Sequence, residues 1–148
     1  MNSFAEWRPQ EMPTLLVNRL SRLISKKTDE ELGVVGLTAS QLPVLASLKD
    51  GMKLTQKELA ELTGVSQPSM AQLLARMERD ELVQRTPSPS DGRISMVSLT
   101  ATANMKLEPG RSALRRVDDN ACSILTERER AMLATILLKL LRHAEGER

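Results

Sequence analysis

The feature that most constrains this chain is the run from Thr55 to Thr100, where two short helical patterns meet at a glycine and the period then changes from helix to strand. Thr55 and Glu58 have capping-box spacing: the Thr55 hydroxyl can accept from the Glu58 N–H while the Glu58 carboxylate reaches back to the Thr55 N–H. Leu54 and Leu59 flank that box as a hydrophobic staple, and Leu62 follows. Gly64 is the residue able to take the left-handed conformation that ends a helix without a Cβ penalty. Ser66 is then a good N-cap, Pro68 sits in the first turn where a missing N–H costs nothing, and Val65 with Met70 forms a second staple. Met70, Leu73, Leu74 and Met77 fall three and four apart, which makes one buried stripe and leaves Gln67, Ser69, Gln72 and Arg76 outside it. Small Ala60 permits the first helix to lie close to the second, so the spacing is that of a helix-turn-helix.

Beyond the second helix, Leu82–Thr86 and Ile94–Thr100 are short and β-prone. The latter alternates, with Val97 and Leu99 on one side and Met96 and Ser98 on the other. PSPSDGR lies between them, and its proline, serine and Asp-Gly residues mark a hairpin loop that carries Asp91 and Arg93 at its tip. The unit reads as a helix-turn-helix with a wing.

The remainder of the chain is helical in pattern. Pro9 and Pro13 interrupt any early helix, so residues 1–10, which hold Phe4 and Trp7, read as a loose arm. Leu16, Leu20, Leu23 and Ile24 predict a helix from about Met12 to Glu31. Thr38 and Gln41 make another capping box, with Leu37 and Leu42 as its staple, and the helix they open ends at Lys49-Asp50-Gly51. After Thr100, Met105, Leu107, Leu114 and Val117 are apolar at helical spacing, and Pro109-Gly110 predicts a kink or break among them. Thr126 and Glu129 cap a last helix whose Met132, Leu133, Ile136, Leu137, Leu140 and Leu141 form its apolar face. So short a chain offers that face little core, and burial against a second subunit, together with the first helix, is the economical solution.

With 148 residues and 41% hydrophobic content, the chain is expected to form a single domain over 1–148. The fold class is mainly α with a small β-hairpin wing. About 37–100 would be the winged helix-turn-helix, with dimerisation helices at about 12–31 and 101–145. No span approaches the ~20 apolar residues that cross a bilayer, and the N-terminus lacks a signal peptide's apolar region, which points to a cytoplasmic protein without a membrane partner. Cys122 is the only cysteine and His143 the only histidine, so no metal site, no cofactor and no Ser-His-Asp or Cys-His centre is expected. Enzymatic activity is not expected either. Two aspartates and no tyrosine or histidine neighbour Cys122, which reads as packing rather than a sensing thiol. His143, near the end of the last helix, reads as capping carbonyls or meeting solvent, and the eight methionines read as core filler before cavity lining. The net charge of +2 alone argues only weakly for nucleic acid; the placement of Arg76, Arg79, Arg85 and Arg93 on the helix-and-hairpin unit argues more.

LTASQLPVLASL at 37–48, TQKELAELTGVSQPSMAQLLARMERDELV at 55–83 and above all DGRISMVSLT at 91–100 resemble the MarR family of winged helix-turn-helix transcriptional regulators. The likeness runs from about residue 12 to 142. It implies a homodimer held by its first and last two helices, with the second motif helix in the major groove and the wing in the minor groove of a pseudo-palindromic operator in double-stranded DNA. Three positions depart from the family's pattern. Glu81 stands in place of the glycine of an Asp-Gly-Leu corner, Ala103 replaces the glycine after the wing's Leu-Thr, and Pro109-Gly110 interrupts the long fifth helix.

Recognition helices contact base edges mainly through their N-terminal residues, which makes Ser66, Gln67, Ser69 and Gln72 the candidates for the major groove. Gln can bond bidentately to adenine. Arg76 would bind phosphate or brace the wing. Arg93 would enter a narrow minor groove with Asp91 holding its guanidinium. Thr55, Gln56 and Lys57, at a helix N-terminus, are further phosphate candidates. Taken singly, Gln67 or Gln72 reads equally well as the outer face of a solvated helix, and Thr55 as a simple cap. The expected function is a dimeric repressor relieved by a small-molecule effector. The alternative is a winged-helix interaction or architectural module without sequence-specific DNA binding. With Phe4 and Trp7 the only aromatics, an effector would meet mostly aliphatic and methionine walls.

Overall fold

The computed structural model describes residues 8–146, so Phe4, Trp7 and most of the expected arm lie outside the described residues. A single 3-10 turn at Pro9–Glu11 precedes α1 (Pro13–Gly33), which Pro13 opens from its first position, where a missing N–H is harmless. A second 3-10 turn, Ala39–Gln41, leads into α2 (Leu42–Leu48). There Gln41 Oε1 accepts from the Thr38 N–H at 3.0 Å, the half of the capping box that holds the turn's entry. Then come α3 (Gln56–Thr63), α4 (Gln67–Arg79), β1 (Val83–Pro87), β2 (Ser95–Leu99), α5 (Ala101–Ala121) and α6 (Glu127–Ala144).

The turn between α3 and α4 forms as its residues dictate. Glu58 N–H donates to Thr55 Oγ1 at 3.1 Å, and Thr55 N–H donates to Glu58 Oε2 at 2.8 Å. Gly64 ends α3 at φ 70°, the left-handed value that favours glycine. Ser66 then caps α4, its hydroxyl accepting from the Ser69 N–H at 3.3 Å. Met70, Leu73, Leu74 and Met77 are all buried, while Leu62 is 67% exposed and takes no part in the core.

The hairpin pairs Val83 with Leu99, Arg85 with Val97 and Pro87 with Ser95. The expected alternation does not appear in burial: β2 runs from exposed Ser95 at the tip through Met96 to a base where Val97, Ser98 and Leu99 are all buried. At the base β2 runs between β1 and Leu54: Leu54 N–H donates to Val97 O at 3.1 Å and Val97 N–H to Leu54 O at 2.7 Å. Leu54 therefore ties the entry of α3 to the wing as well as serving beside the cap.

The core gathers Leu32, Val44, Leu48, Leu59, Met70, Leu74, Met77, Leu82 and Val97, each fully buried. At roughly 1.5–3 kcal/mol per large side chain, these residues dominate the stability of the winged unit. α5 reaches this core through Ala103, Gly110 and Ala113. Of the kink or break expected at Pro109-Gly110, the break does not occur, since α5 is one helix with Pro109 inside it. A Cβ on Gly110 would come within 3.1 Å of Leu37 Cδ1, so the glycine lets α5 lie against the segment before α2. Met105, expected on the apolar face, is 78% exposed, because the small residues rather than Met105 face inward.

α6 buries no residue. Met132, Ile136, Leu138, Leu140 and Leu141 are exposed, as are Leu15, Leu16, Val17, Leu20 and Leu23 of α1. Polar contacts orient the arms: Arg116 of α5 pairs with Glu31 of α1 at 3.0 Å, and Arg130 of α6 pairs with Asp119 at 2.9 Å and with Asp118. Thr126 caps α6, accepting from the Glu129 N–H at 3.1 Å.

Candidate nucleic-acid interface

The outer face of α4 begins at its N-cap. Ser66, Gln67, Ser69 and Gln72 are exposed there, because the buried stripe from Met70 to Met77 takes up the opposite side of the helix. The free end of a helix carries N–H groups and the positive pole of its dipole, and hydroxyl and amide side chains beside it can both donate and accept. A surface of this kind can read base edges and hold phosphate oxygens.

The wing tip is organised around one residue pair. Asp91 Oδ1 accepts from the Arg93 backbone N–H at 3.0 Å and from Arg93 Nε at 3.2 Å, while Oδ2 accepts from the second guanidinium nitrogen at 3.4 Å. Those bonds, the side-chain ones first, hold the Asp91 carboxyl below its ordinary value of 3.8. The Arg93 side chain is 92% exposed, so its remaining donors face solvent in a fixed orientation. Ser88 and Ser90 hydroxyls pair at 3.1 Å across the same loop. The sequence motif thus produces a presented arginine rather than an ordinary turn with a free one.

Thr55 is occupied as a cap on both its hydroxyl and its N–H, which leaves Lys57 and the N–H groups of Gln56 and Lys57 at that helix end. Arg76 does not brace the wing. It lines a polar cleft with Asp29, Thr38, Ser40, Gln41 and Asp80, where α1, the turn before α2 and α4 converge. Asp29 in that cleft accepts from the Ala39 N–H at 2.8 Å. The brace is Arg85 of β1, paired with Glu78 of α4. Sequence reasoning missed that pair because seven residues and a corner separate its members, and no helical spacing signals it.

Two cavities flank α5, the smaller between it and the winged unit and the larger among the arms themselves. One of about 180 Å³ separates α2 from α5, walled by Leu37, Leu42, Leu45, Leu107 and Leu114 with Lys49 and Arg111 at its edge. The other, about 750 Å³, is lined by Leu20, Ile24, Val117, Ile124, Leu133 and Leu137 of α1, α5 and α6 and the loop between the last two. Both walls are mostly aliphatic, with Thr28, Arg115 and Asp118 also at the larger one, and methionine lines neither. Cys122 is half-buried at the second cavity. Among the described residues no group of His, Cys, Asp and Glu is placed to hold a metal ion, and no helix is long and apolar enough to cross a membrane.

Residues 35–94 match the model of the MarR family. Over 133 residues the chain is 32% identical to the HTH-type transcriptional repressor MdtR of Bacillus subtilis, a match that covers 90% of this chain and 86% of that one. The chain belongs to the MarR family. Within that family, a cysteine-to-serine mutant of MarR from E. coli, solved in complex with operator DNA, superposes with a TM-score of 0.76 at 26% identity, covering 85% of this chain and 91% of the other. The repressor CouR, bound to a 23-mer DNA duplex, gives a TM-score of 0.82 at 25% identity, covering 90% and 94%. The mainly helical fold with one wing, expected from sequence, is the fold of these family members, and transcriptional regulation through DNA is their business.

Proposed function

We propose that this protein is a homodimeric repressor that binds a pseudo-palindromic operator in double-stranded DNA and is released by a small-molecule effector. The observation that carries the reading is the bidentate Asp91–Arg93 pair, which presents a guanidinium at the wing tip of the same unit that exposes the polar face of α4. In this reading Ser66, Gln67, Ser69 and Gln72 meet base edges in the major groove, and Arg93 enters the minor groove. Lys57 and Arg76 hold phosphates, with Thr55 supporting through its cap. The exposed apolar faces of α1 and α6 support a dimer in which the arms close on a second copy, since patches of this extent are rarely left open on a monomer. The two winged units then lie near ~34–36 Å apart, one DNA turn. The arms α1, α5 and α6 are the dimerisation helices of a single domain, and the protein works in the cytoplasm without membrane or cofactor.

An effector seated in the aliphatic cavity between α2 and α5 would favour a different half-site spacing and so weaken operator binding by differential affinity for the two arrangements. The wall composition favours an aliphatic ligand over one held by aromatic stacking. A panel of compounds screened by melting-temperature shift tests this, because a ligand of the native state raises its stability.

Electrophoretic shift of the protein's own promoter fragment tests the main reading. Binding at nanomolar concentration is expected, and Arg93→Ala should cost about tenfold or more in affinity with an unchanged melting temperature. The net charge of +2 favours one other reading, an interaction module on the same scaffold. Binding indifferent to sequence, or absent at low salt, would decide for that module.

A further inference from the structure

Thr100 stands at the chain junction where the wing passes into α5, and its groups serve three elements at once. Its backbone N–H donates to Leu82 O at 3.0 Å, at the base of the wing. Its hydroxyl donates to Glu81 O at 2.6 Å, at the corner where α4 ends. The same oxygen accepts from the Ala103 N–H at 3.1 Å, as the N-cap of α5. A hydroxyl has one proton to donate and lone pairs to accept with, so both bonds can be made together.

The corner it grips is strained. Glu81 sits at φ 59°, a left-handed value that a residue with a Cβ adopts only when its surroundings over-determine it. On the α4 side, the Leu82 N–H to Met77 O bond at 2.8 Å and the Glu81 N–H to Glu78 O bond at 3.0 Å close the helix end. On the other side, only the Thr100 hydroxyl holds the Glu81 carbonyl, among the hydrogen bonds of the described residues. At this corner the end of α4 is therefore tied to the start of α5 through one side-chain oxygen, beside the packing of α5 on the core.

We propose that Thr100 is a positioning residue for DNA recognition: its hydroxyl locks the strained Glu81 corner to the start of α5 and so fixes the angle between the recognition helix and the dimer arms. The proposal rests on the dimeric DNA-binding reading for its consequence but not for its geometry. Without the hydroxyl, each winged unit remains folded around its own core and remains able to contact a half-site. What degrades is the registration of two units on one operator, because an angular error at the joint is carried to the far end of α4.

The test uses the full chain with Thr100→Val, which keeps the β-branched shape and removes the hydroxyl, and Thr100→Ser, which restores it. Spin labels at Ala75→Cys of α4 and Arg115→Cys of α5, in a Cys122→Ala background diluted with unlabelled chain, report the angle as an intrachain distance. Thr100→Val should broaden that distance distribution, and Thr100→Ser should restore its width. In parallel, affinity for the full operator should fall about five- to tenfold, the scale of one lost hydrogen bond, while half-site affinity changes less than about twofold. Replacing Glu81→Gly relaxes the corner, so Thr100→Val should have a smaller effect in that background. An unchanged distance distribution in Thr100→Val overturns the proposal, as does an equal loss on half-site and full operator. A wild-type protein that binds the two DNAs equally would overturn the dimeric reading instead, and the distance measurement would still decide the joint.

Discussion

Leu74 in α4 and Leu140 in α6 both stand on the apolar face of an amphipathic helix, yet the first is fully buried and the second is 48% exposed. The difference lies in what faces each helix. α4 packs on α3 and β1 within its own chain, closed in by turns of a few residues. The α6 face meets only the rim of α1 and α5. Helical periodicity determines which residues turn away from water but says nothing of what covers them. In the winged unit the cover is local and intrachain; in the arms the chain itself supplies little, and the proposed second copy would provide it.

Four measurements break or sharpen that contrast. Ile136→Asp with Leu140→Asp should abolish the dimer, seen as a monomer in sedimentation velocity. Operator affinity should fall by about 100-fold or more, because the second half-site is no longer an intramolecular partner. The winged unit should keep its helical signal, and a variant still dimeric would break the comparison. Next in size, Leu74→Ala should destabilise by about 3 kcal/mol in denaturant titration, independently of protein concentration, as a cavity in a closed core does. Leu140→Ala should instead give a loss that depends on protein concentration. Glu81→Gly should raise stability by up to about 1 kcal/mol, since the left-handed cost of a Cβ outweighs the entropy cost of glycine. Destabilisation there would mean that Glu81 makes a contact worth more than its strain.

The smallest effect concerns the wing tip. Asp91 has its carboxyl value depressed in the folded state, so its bond to Arg93 is fully present above the ordinary value of 3.8 and is lost as pH falls through the depressed folded value. An NMR titration of the Asp91 carboxyl should therefore show a midpoint below 3.8, and Arg93→Ala should move it up toward that value. A midpoint unaffected by the Arg93 change would separate the pair.

The parts of the fold readable from residues are those where one local interaction decides the backbone. The capping box at Thr55–Glu58, the Gly64 turn and the Ser66 cap all act within four residues, and each formed where its pattern stood, while at Thr126–Glu129 only the N-cap half formed and the Thr126 hydroxyl itself donates to Glu129 Oε1. The candidate site was legible for the same reason, since Asp91 and Arg93 are two apart and the exposed face of α4 is the complement of its buried stripe. Arg76 was harder to place: the same side chain fits a phosphate contact or a wing brace, and only the structure shows the Arg85–Glu78 pair in the bracing position. Pro109-Gly110 misled as a break, because losing one helical hydrogen bond is outweighed where Gly110 lets α5 settle on Leu37.

By itself, then, the sequence determined the helices, their caps, the turn and the presented arginine, through interactions of short range. Tertiary structure alone decided that β2 takes a rung from Leu54, that a glutamate bends left-handed at residue 81, and that one threonine hydroxyl joins the corner after α4 to the start of α5. Those depend on groups up to 43 positions apart in the chain, Leu54 and Val97, being brought together by core burial, which is non-directional and leaves no local signature.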